Sequence, residues 1–407
     1  MPDPAMDAAL QRFQSHVDHI GGLLGNDARR ASFATYAVGL LSQGERKSME
    51  PIACRACPDP EKADAAHQRL HNFVSDATWS DRDVRRESAR YALAAMQKRE
   101  PIVAWLIDDT GFLKQGKHSV GVQRQYTGTA GKVTNCQVAA SLSLATMSQQ
   151  LPVDFELYLP KSWANNKARR AEGHIPDEVR FQTKPELALR MIERAIADKH
   201  PMAVVLADAA YGTSSAFRLS LRILGLDYAL AVESATKVWQ MDRLLRRRGD
   251  AVSVKKLAAS IGKKAYRRIT WRQGTSEPLS GRFAFLRVVP FHDDGVDPAV
   301  REDVWLVIEL EDGKIAPSKF YFATLPKKTT KKQLVRIIKV RWRTERMYED
   351  TKGQLGLHHF EGRSYRGWHH HVSAVLFCYS FVAAEHADAF PPSARRKVET
   401  GPFGGAS

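Results

Sequence analysis

The stretch Ile102–Asp109, IVAWLIDD, is a short apolar run that ends in two acids. Such a run is typical of a buried strand. A second run of this kind, MAVVLAD, occupies Met202–Asp208. An acid that closes a buried strand is costly unless it is paired, capped or bound to a metal ion. These two runs therefore indicate a buried sheet and a candidate site at the ends of its strands.

The segments around these runs predict an α/β fold. Two β-prone runs at residues 118–128 and 132–146, joined by GTAGK, predict a hairpin. Apolar residues at three- and four-residue spacing predict a helix over Pro185–Lys199. The order is several strands first and then helix, strand, helix and strand, which indicates an α/β plan with a mixed sheet.

The remaining segments predict how the chain is divided. Residues 1–100 have helical periodicity, with Gly or Pro between the segments. They are either a helical cap on a larger domain or a DNA-binding domain. We expect the core to follow, interrupted by a β-rich insertion and ended by a disordered tail. The expected bounds are 101–234 for the first part of the core, 235–325 for the insertion, 326–390 for the part with a long basic helix, and 391–407 for the tail.

The net charge of the 407-residue chain is +16. Basic proteins of this size most often bind nucleic acid, with anionic membranes as the rival partner. No strongly amphipathic basic helix with exposed aromatic residues stands out, so nucleic acid is favoured. No apolar run approaches the length that spans a bilayer, and the first residues lack the pattern of a secretion signal. We therefore expect a cytoplasmic, DNA-binding protein without a membrane segment.

Three acids form a candidate metal site. Asp108 and Asp208 end the two buried strands, and Glu345 lies in the basic stretch RWRTERMYEDTKGQLGLHHFEGRS that begins at Arg341. Carboxylate-only sites suit Mg²⁺ or Mn²⁺. Two such ions about 4 Å apart activate a nucleophilic oxygen and stabilise the leaving oxygen of a phosphodiester. Paired Asp residues and a helical Glu thus indicate a nuclease or strand-transferase site.

The basic stretch itself predicts a helix with one functional face. At about 100° per residue, Arg341, Glu345, Tyr348 and Lys352 fall within a narrow sector of an ideal helix. A carboxylate flanked by Arg and Lys can hold metal while its neighbours grip the DNA backbone. A surface ladder of ion pairs would have the same spacing.

Three motifs together resemble the DDE transposases of bacterial insertion sequences, and more narrowly the IS-seven-zero-one-like branch of the IS-four-like clan. They are IDDTGFLKQGKHSVGVQRQY, LADAAYG and the basic stretch from Arg341. The resemblance implies an RNase H-like core, Mg²⁺ (or Mn²⁺) as cofactor, and an enzyme that cuts and rejoins DNA at the ends of a mobile element. It also implies a homodimer that pairs two DNA ends, located at the bacterial nucleoid.

Transferred motif by motif, the resemblance assigns the catalytic acids. Asp108 is the first acid, with Asp109 as its competitor because the doublet leaves the register open. Asp208 is the second acid, and Glu345 is the third, with Glu349 as the alternative. The clan's signature places a Tyr three residues before the Arg, but residue 338 is Ile in this chain.

Basic residues near these acids are candidate phosphate contacts. Two aromatic residues of the β-rich segment, Trp271 and Trp305, are candidates for stacking on a flipped base, although Trp305 suits a core position better. The candidate DNA contacts are Lys114, Lys117, Arg124, Lys327, Lys328, Lys331, Lys332, Arg341, Lys352 and Trp271.

Three functions are compatible with these motifs. The first is a metal-dependent transposase that binds terminal inverted repeats, cleaves at the ends and joins the 3′-OH ends to target DNA. The second is an RNase H-like nuclease without strand transfer, and the third is a catalytically silent DNA-binding protein. The presence of all three acids argues against the third, and the helical and β-rich additions favour the transposase.

Overall fold

The computed structural model describes residues 4–57, 59–240, 251–274, 277–292 and 302–389. The chain separates into two units. The first takes residues 1–102, 108–200 and 343–392, and the second takes 103–107, 201–342 and 393–407. The tail expected over residues 391–407 lies outside the described residues.

The N-terminal region of the first unit is helical, as the periodicity predicts. Side chains of Asn26, Asp59 and Ser80 cap three of its helices by accepting backbone N–H groups, which are otherwise unpaired at a helix start. The helices are α1 (Pro4–Gly21), α2 (Asp27–Leu41), α3 (Met49–Ala56), α4 (Pro60–His71), which continues as a π-helical segment (Asn72–Asp76), and α5 (Asp81–Gln97).

Four strands of the first unit form its part of the sheet. The predicted hairpin is confirmed, because β2 and β3 are antiparallel neighbours with Tyr126 opposite Val133. The order is β2–β3–β1, and β4 also pairs with β3. The strands are β1 (Ala104–Leu113), β2 (Gln123–Thr127), β3 (Lys132–Ala145) and β4 (Gln150–Leu157).

Further helices complete the first unit. The last helix is buried on almost every side, which suits its apolar sequence. It packs on α5, α2 and β4, with Phe377 edge-on to Phe33 at 4.8 Å between ring centroids. The helices are α6 (Lys161–Ala164), α7 (Lys167–Glu172), α8 (Lys184–Ala197), α13 (Arg343–Glu349), which continues as a π-helical segment (Asp350–Gln354), and α14 (Tyr365–Ala389).

The second unit is built on parallel strands that continue into an antiparallel sheet. Its order is β1–β5–β6–β12–β11–β10–β7–β8, with β9 on β10. β1, β5 and β6 are parallel, and the pairs from β6 onward are antiparallel. The strands are β5 (Val204–Ala207), β6 (Tyr228–Val232), β7 (Lys237–Gln240), β8 (Val252–Ser253), β9 (Arg267–Gln273), β10 (Pro278–Pro290), β11 (Val304–Leu310) and β12 (Lys319–Ala323).

The β-rich segment is therefore an extension of the sheet, because β12 pairs directly with β6. The helices of this unit are α9 (Ala209–Gly212), α10 (Ser215–Ile223), α11 (Val254–Ser260) and α12 (Lys331–Lys339). Both units confirm the predicted mixed α/β class with an N-terminal helical region, as expected of an RNase H-like core. No helix in the described ranges has the length and apolar character needed to cross a bilayer.

A buried charge cluster ties α5 to β4 and α8 in the first unit. Arg85, which is only 3% exposed, pairs with Asp81 at 2.9 Å and with Asp154 at 3.4 Å. Arg194 from α8 pairs with Asp154 at 2.7 Å and with Glu156 at 2.6 Å. Removing one member of such a cluster leaves its charged partners without a counter-charge in a medium of low dielectric constant.

We expect Arg85→Ala to lower the free energy of unfolding by about 3–5 kcal/mol, because it leaves buried carboxylates without one of their cations. Urea denaturation of the purified protein measures this. The matched control is Arg86→Ala, next along α5, whose side chain is 30% exposed and pairs with Asp83 at 2.8 Å. Its loss should stay below about 1 kcal/mol. Equal losses for the two variants would contradict a structural role for the cluster.

Candidate active site

The acid doublet at β1 is divided between two environments. Alternation along the strand turns Asp108 and Asp109 to opposite faces of the sheet. Asp109 forms an ion pair of 2.8 Å with Lys184, at the start of α8. Asp108 is half-buried, and its Oδ1 accepts a hydrogen bond of 2.8 Å from the backbone N–H of Asp109. Asp109 thus has a visible structural partner, and the choice of Asp108 as the catalytic acid remains a prediction.

Asp208 lies directly after β5 and caps the short helix α9. Its Oδ1 accepts a hydrogen bond of 3.0 Å from the N–H of Ala210, which fixes the orientation of the carboxylate. The turn is closed by Gly212, where an added Cβ would lie 1.9 Å from the carbonyl oxygen of Ala231 on β6. Only glycine allows this close approach, so the Gly of LADAAYG sets the path of the chain after Asp208.

The two aspartates hold equivalent places on their strands. In the second unit β1 and β5 are parallel, with Leu106 opposite Leu206. Asp108 and Asp208 each lie two residues further along their own strand. A sequence that repeats an apolar run ending in Asp is therefore explained by two neighbouring parallel strands with the same pattern.

The predicted long basic helix is divided into several parts. Thr330 begins α12 with a capping box to Gln333. A 3₁₀ turn over Val340–Trp342 then separates α12 from α13, and a π-helical segment follows α13. Arg341 lies on the 3₁₀ turn and Lys352 in the π-helical segment. The structure therefore has no single regular helix that carries Arg341, Glu345, Tyr348 and Lys352. The prediction that these four residues share one helix face is wrong.

Glu345 lies in the first turn of α13 and is exposed. Its alternative, Glu349, is also exposed and lies 3.7 Å from Arg346. Arg346 pairs more closely with Asp350, at 3.0 Å. Arg346 is therefore the centre of a small group of ion pairs on this surface, formed by residues other than those of the spacing considered from sequence.

Two contacts fasten α13 and the following segment to the strands of the first unit. The hydroxyl groups of Tyr348 and Ser141 are 2.6 Å apart, and Ser141 on β3 is fully buried. Lys352 donates to the carbonyl oxygen of Gly111 on β1 at 2.9 Å and lies 5.5 Å from the centre of the Phe112 ring. The helix that carries Glu345 is thus held against the strand that carries Asp108.

Sequence reasoning missed the Tyr348–Ser141 contact. The signal available was the spacing, since Tyr348 follows Glu345 by one helical turn. Its partner is 207 positions away in sequence and is one of two serines on β3.

The candidate ligands offer oxygen donors only. Carboxylate oxygens fit Mg²⁺ or Mn²⁺, and the backbone N–H bonds to Asp108 and Asp208 would orient them as outer-shell bonds orient metal ligands. Over the described ranges, no three His, Cys, Asp or Glu side chains are grouped so that they could hold a metal ion. Metal ligation by Asp108, Asp208 and Glu345 therefore stays a prediction.

The predicted DNA contacts in the first unit differ in exposure. Lys117 and Arg124 are exposed. Lys114 is half-buried, its ammonium donates to the carbonyl oxygen of Phe360, and burial lowers its pKa. Burial likewise lowers the pKa of Lys352 to about 8. These two lysines stabilise local structure in addition to any contact with phosphate.

The predicted DNA contacts in the second unit gather around the start of α12. Lys328, Lys331 and Lys332 are exposed, and Lys327 pairs with Asp303 at 3.3 Å. Trp271 on β9 is half-buried, with the ammonium of Lys339 4.7 Å from its ring centre. A cation already covers this ring, so stacking on a base would use its remaining surface.

Comparisons with known proteins agree with the motifs. Residues 20–278 match the family described as DDE superfamily endonuclease, and residues 182–381 match the Transposase DDE domain. The chain is 30% identical over 204 residues to the probable transposase for insertion sequence element IS701 of Microchaete diplosiphon. That alignment covers 50% of this chain and 49% of the relative, so the chain spans about half the length of the protein it matches. The resemblance drawn from the three motifs is confirmed, and the chain belongs to the DDE superfamily endonuclease family.

Proposed function

We propose that this protein is a metal-dependent DNA transposase. It binds the terminal inverted repeats of an insertion sequence, cleaves the DNA at the ends and transfers the 3′-OH ends to target DNA. The observation that carries the proposal is the repeated strand pattern that ends in Asp108 and Asp208, together with a Glu345-bearing helix fastened beside β1. The family and the likeness to a probable transposase support the same reaction.

In this proposal the three acids hold two Mg²⁺ or Mn²⁺ ions. The ions supply activation of the attacking oxygen and neutralisation of charge on the phosphodiester. The protein supplies position: Asp108 and Asp208 are oriented by backbone N–H groups, and Glu345 by the contacts of α13. Phosphoryl transfer needs little else from side chains, because it depends mainly on positioning and on charge stabilisation.

The DNA contacts of the proposal divide by position in the chain. Arg341 and Lys352 flank Glu345 in sequence, and the lysines before α12 form a second group. Trp271 is the proposed stacking residue, and the DNA is double-stranded, as terminal repeats and as target. Pairing of two ends implies a homodimer in a cytoplasmic, nucleoid-associated complex.

The direct test uses the purified protein with a labelled duplex that carries the inverted repeat flanking its gene, together with plasmid target DNA and Mg²⁺. We expect a nick at the repeat end and joining of that 3′-OH to the plasmid, seen as a longer labelled product on a denaturing gel. Cleavage without joining would contradict the proposal and establish a nuclease. Binding without cleavage would establish a DNA-binding protein.

In the same assay, Asp108→Asn, Asp208→Asn and Glu345→Gln should each lower the rate more than about 100-fold, beyond the loss typical of an outer-shell change. Asp109→Asn and Glu349→Gln are the matched controls and should keep most of the activity. DNA affinity without divalent metal should stay within a few-fold for all five variants. An inactive Asp109→Asn beside an active Asp108→Asn would reverse the assignment at β1.

Tyr348→Phe removes the hydroxyl that contacts Ser141 and keeps the ring. We expect a roughly 10–100-fold slower reaction and a higher Mg²⁺ concentration at half-maximal rate, because Glu345 is held less firmly. Ser141→Ala should have the same effect, and the double variant should add little. Tyr266→Phe, at a half-buried tyrosine whose hydroxyl makes no hydrogen bond in the described part of the chain, is the control. An unchanged Mg²⁺ requirement in both single variants would show that the contact serves stability alone.

The lowered pKa of Lys352 predicts a pH dependence of DNA binding. Its ammonium loses a proton as the pH rises through about 8, so attraction to phosphate weakens from pH 7 to 9, by several-fold for one contact. A bound phosphate shifts this loss upward, since it favours the charged form. Lys352→Arg stays charged over this range and should flatten the profile, whereas Lys331→Arg should not. Identical profiles in fluorescence anisotropy would exclude Lys352 as the titrating contact.

A further inference from the structure

The β2–β3 hairpin has an unusual charge pattern. No Asp or Glu occurs between residues 110 and 153, whereas four cations do: Lys114, Lys117, Arg124 and Lys132. Lys117, Arg124 and Lys132 are exposed. In the described part of the chain, none of these three is within ion-pair distance of a carboxylate. The part of the hairpin formed by residues 123–135, which contains Arg124 and Lys132, is called the hairpin arm below.

An aromatic residue stands between the cations of the hairpin arm. Tyr126 is 64% exposed and lies opposite Val133, which is 53% exposed. Such a cross-strand pair helps to stabilise a hairpin without being buried. Arg124 precedes the tyrosine by two residues on the same face, whereas Lys132, opposite Thr127, lies on the other face of the hairpin. The arm therefore carries a small apolar surface next to Arg124 on one face and a second cation on the other.

This surface faces the same way as the contact that holds α13. Alternation along β3 places Val133, Asn135, Gln137, Ala139 and Ser141 on one face of the sheet. Ser141 contacts Tyr348 on that face, and its hydroxyl lies 3.5 Å from the carbonyl oxygen of Asp108. β3 is buried from Cys136 onward, so DNA can reach only the exposed arm and not the rest of this face. The turn of the arm lies close to β1, because Thr129 Oγ1 accepts a hydrogen bond of 3.2 Å from the backbone N–H of Gly111, three residues after Asp108.

We propose that the hairpin arm binds double-stranded DNA beside the cleavage point. Arg124 and Lys132 contact phosphates from the two faces of the hairpin, and the ring of Tyr126 packs on a sugar or base beside Arg124. The inference rests on the proposed function; Arg124 is already a candidate phosphate contact, and the inference adds Lys132, the ring of Tyr126 and their place beside the cleavage point. DNA fits this surface better than a protein partner does, because the apolar area is small and the segment carries no acid.

The length of β3 limits the reach of the arm. Val133 lies eight residues from Ser141, which corresponds to at most about 27 Å at about 3.4 Å per residue. B-DNA rises about 3.4 Å per base pair, so the contact falls within about eight base pairs of the cleavage point. The arm therefore makes a prediction about DNA length as well as about affinity.

The experiment measures affinity by fluorescence anisotropy, without divalent metal, on duplexes carrying the inverted repeat that flanks the gene. Two series are shortened toward the cleavage point, one from the repeat side and one from the flank. On long DNA we expect the double variant Arg124→Ala/Lys132→Ala to bind about tenfold more weakly, with the salt slope reduced by about two. Tyr126→Ala should lose about tenfold and Tyr126→Phe little, because the ring makes the contact.

The difference from wild type should disappear in one series as that side is shortened below about eight base pairs. Lys167→Ala, at an exposed lysine of α7, is the charge control and should leave both affinity and slope unchanged. Thermal melting checks that Tyr126→Ala is folded. If Tyr126→Ala does not fold, the double variant Arg124→Ala/Lys132→Ala still tests the binding of DNA by the hairpin arm.

If the double variant binds with the affinity and salt slope of wild type, the proposal that the hairpin arm binds DNA is overturned. This holds even if wild type cleaves and joins the repeat. An effect that persists equally at every DNA length would overturn it as well, since it would then not be a local contact. Failure of wild type to bind or cleave the repeat at any length would instead overturn the proposed function, and the arm with it.

Discussion

A carboxylate at the end of a buried strand must find hydrogen bonds, a cation or a metal ion, and this constraint shapes the centre of the protein. Asp109 meets it with Lys184, and Asp108 and Asp208 meet part of it with backbone N–H groups. The backbone hydrogen bonds orient the carboxylates of Asp108 and Asp208. The ion pair with Lys184 fixes Asp109, and the choice of Asp108 as the catalytic acid remains a prediction.

Holding Glu345 is a separate problem, because an exposed residue on a seven-residue helix is not positioned by its own helix. Side-chain contacts to the sheet hold the segment instead, because Tyr348 contacts β3 and Lys352 contacts β1. The irregular segments on either side of α13 fit this arrangement. A 3₁₀ turn and a π-helical segment change the angle between successive side chains, so each contact can be aimed without a continuous helix.

Most of the fold follows from local patterns in the sequence. Apolar runs at β1 and β5, the GTAGK turn and the helical spacing over residues 1–100 each depend on neighbours in the chain, so they could be predicted. The division of the basic helix at Val340–Trp342 could not, because helix propensity does not register a break fixed by tertiary contacts. The partners Lys184 and Ser141 were equally out of reach, since they lie 75 and 207 positions from Asp109 and Tyr348. The three candidate acids were proposed from sequence and remain predictions, whereas the contacts around them required the structure.

Ile338 occupies the place of the clan's tyrosine, at a position that is buried. Its side chain is 4% exposed on the buried side of α12, beside Leu334. A tyrosine hydroxyl there would need a buried hydrogen-bond partner, whereas isoleucine fills the position without one. Packing thus accounts for isoleucine at this position.

The positive charges of the chain differ in their surroundings. Lys114 and Lys352 donate hydrogen bonds to backbone carbonyl groups, while Lys117, Arg124 and Lys132 remain exposed to solvent. Net charge favours the proposed DNA partner, and burial decides which cations are exposed to contact it.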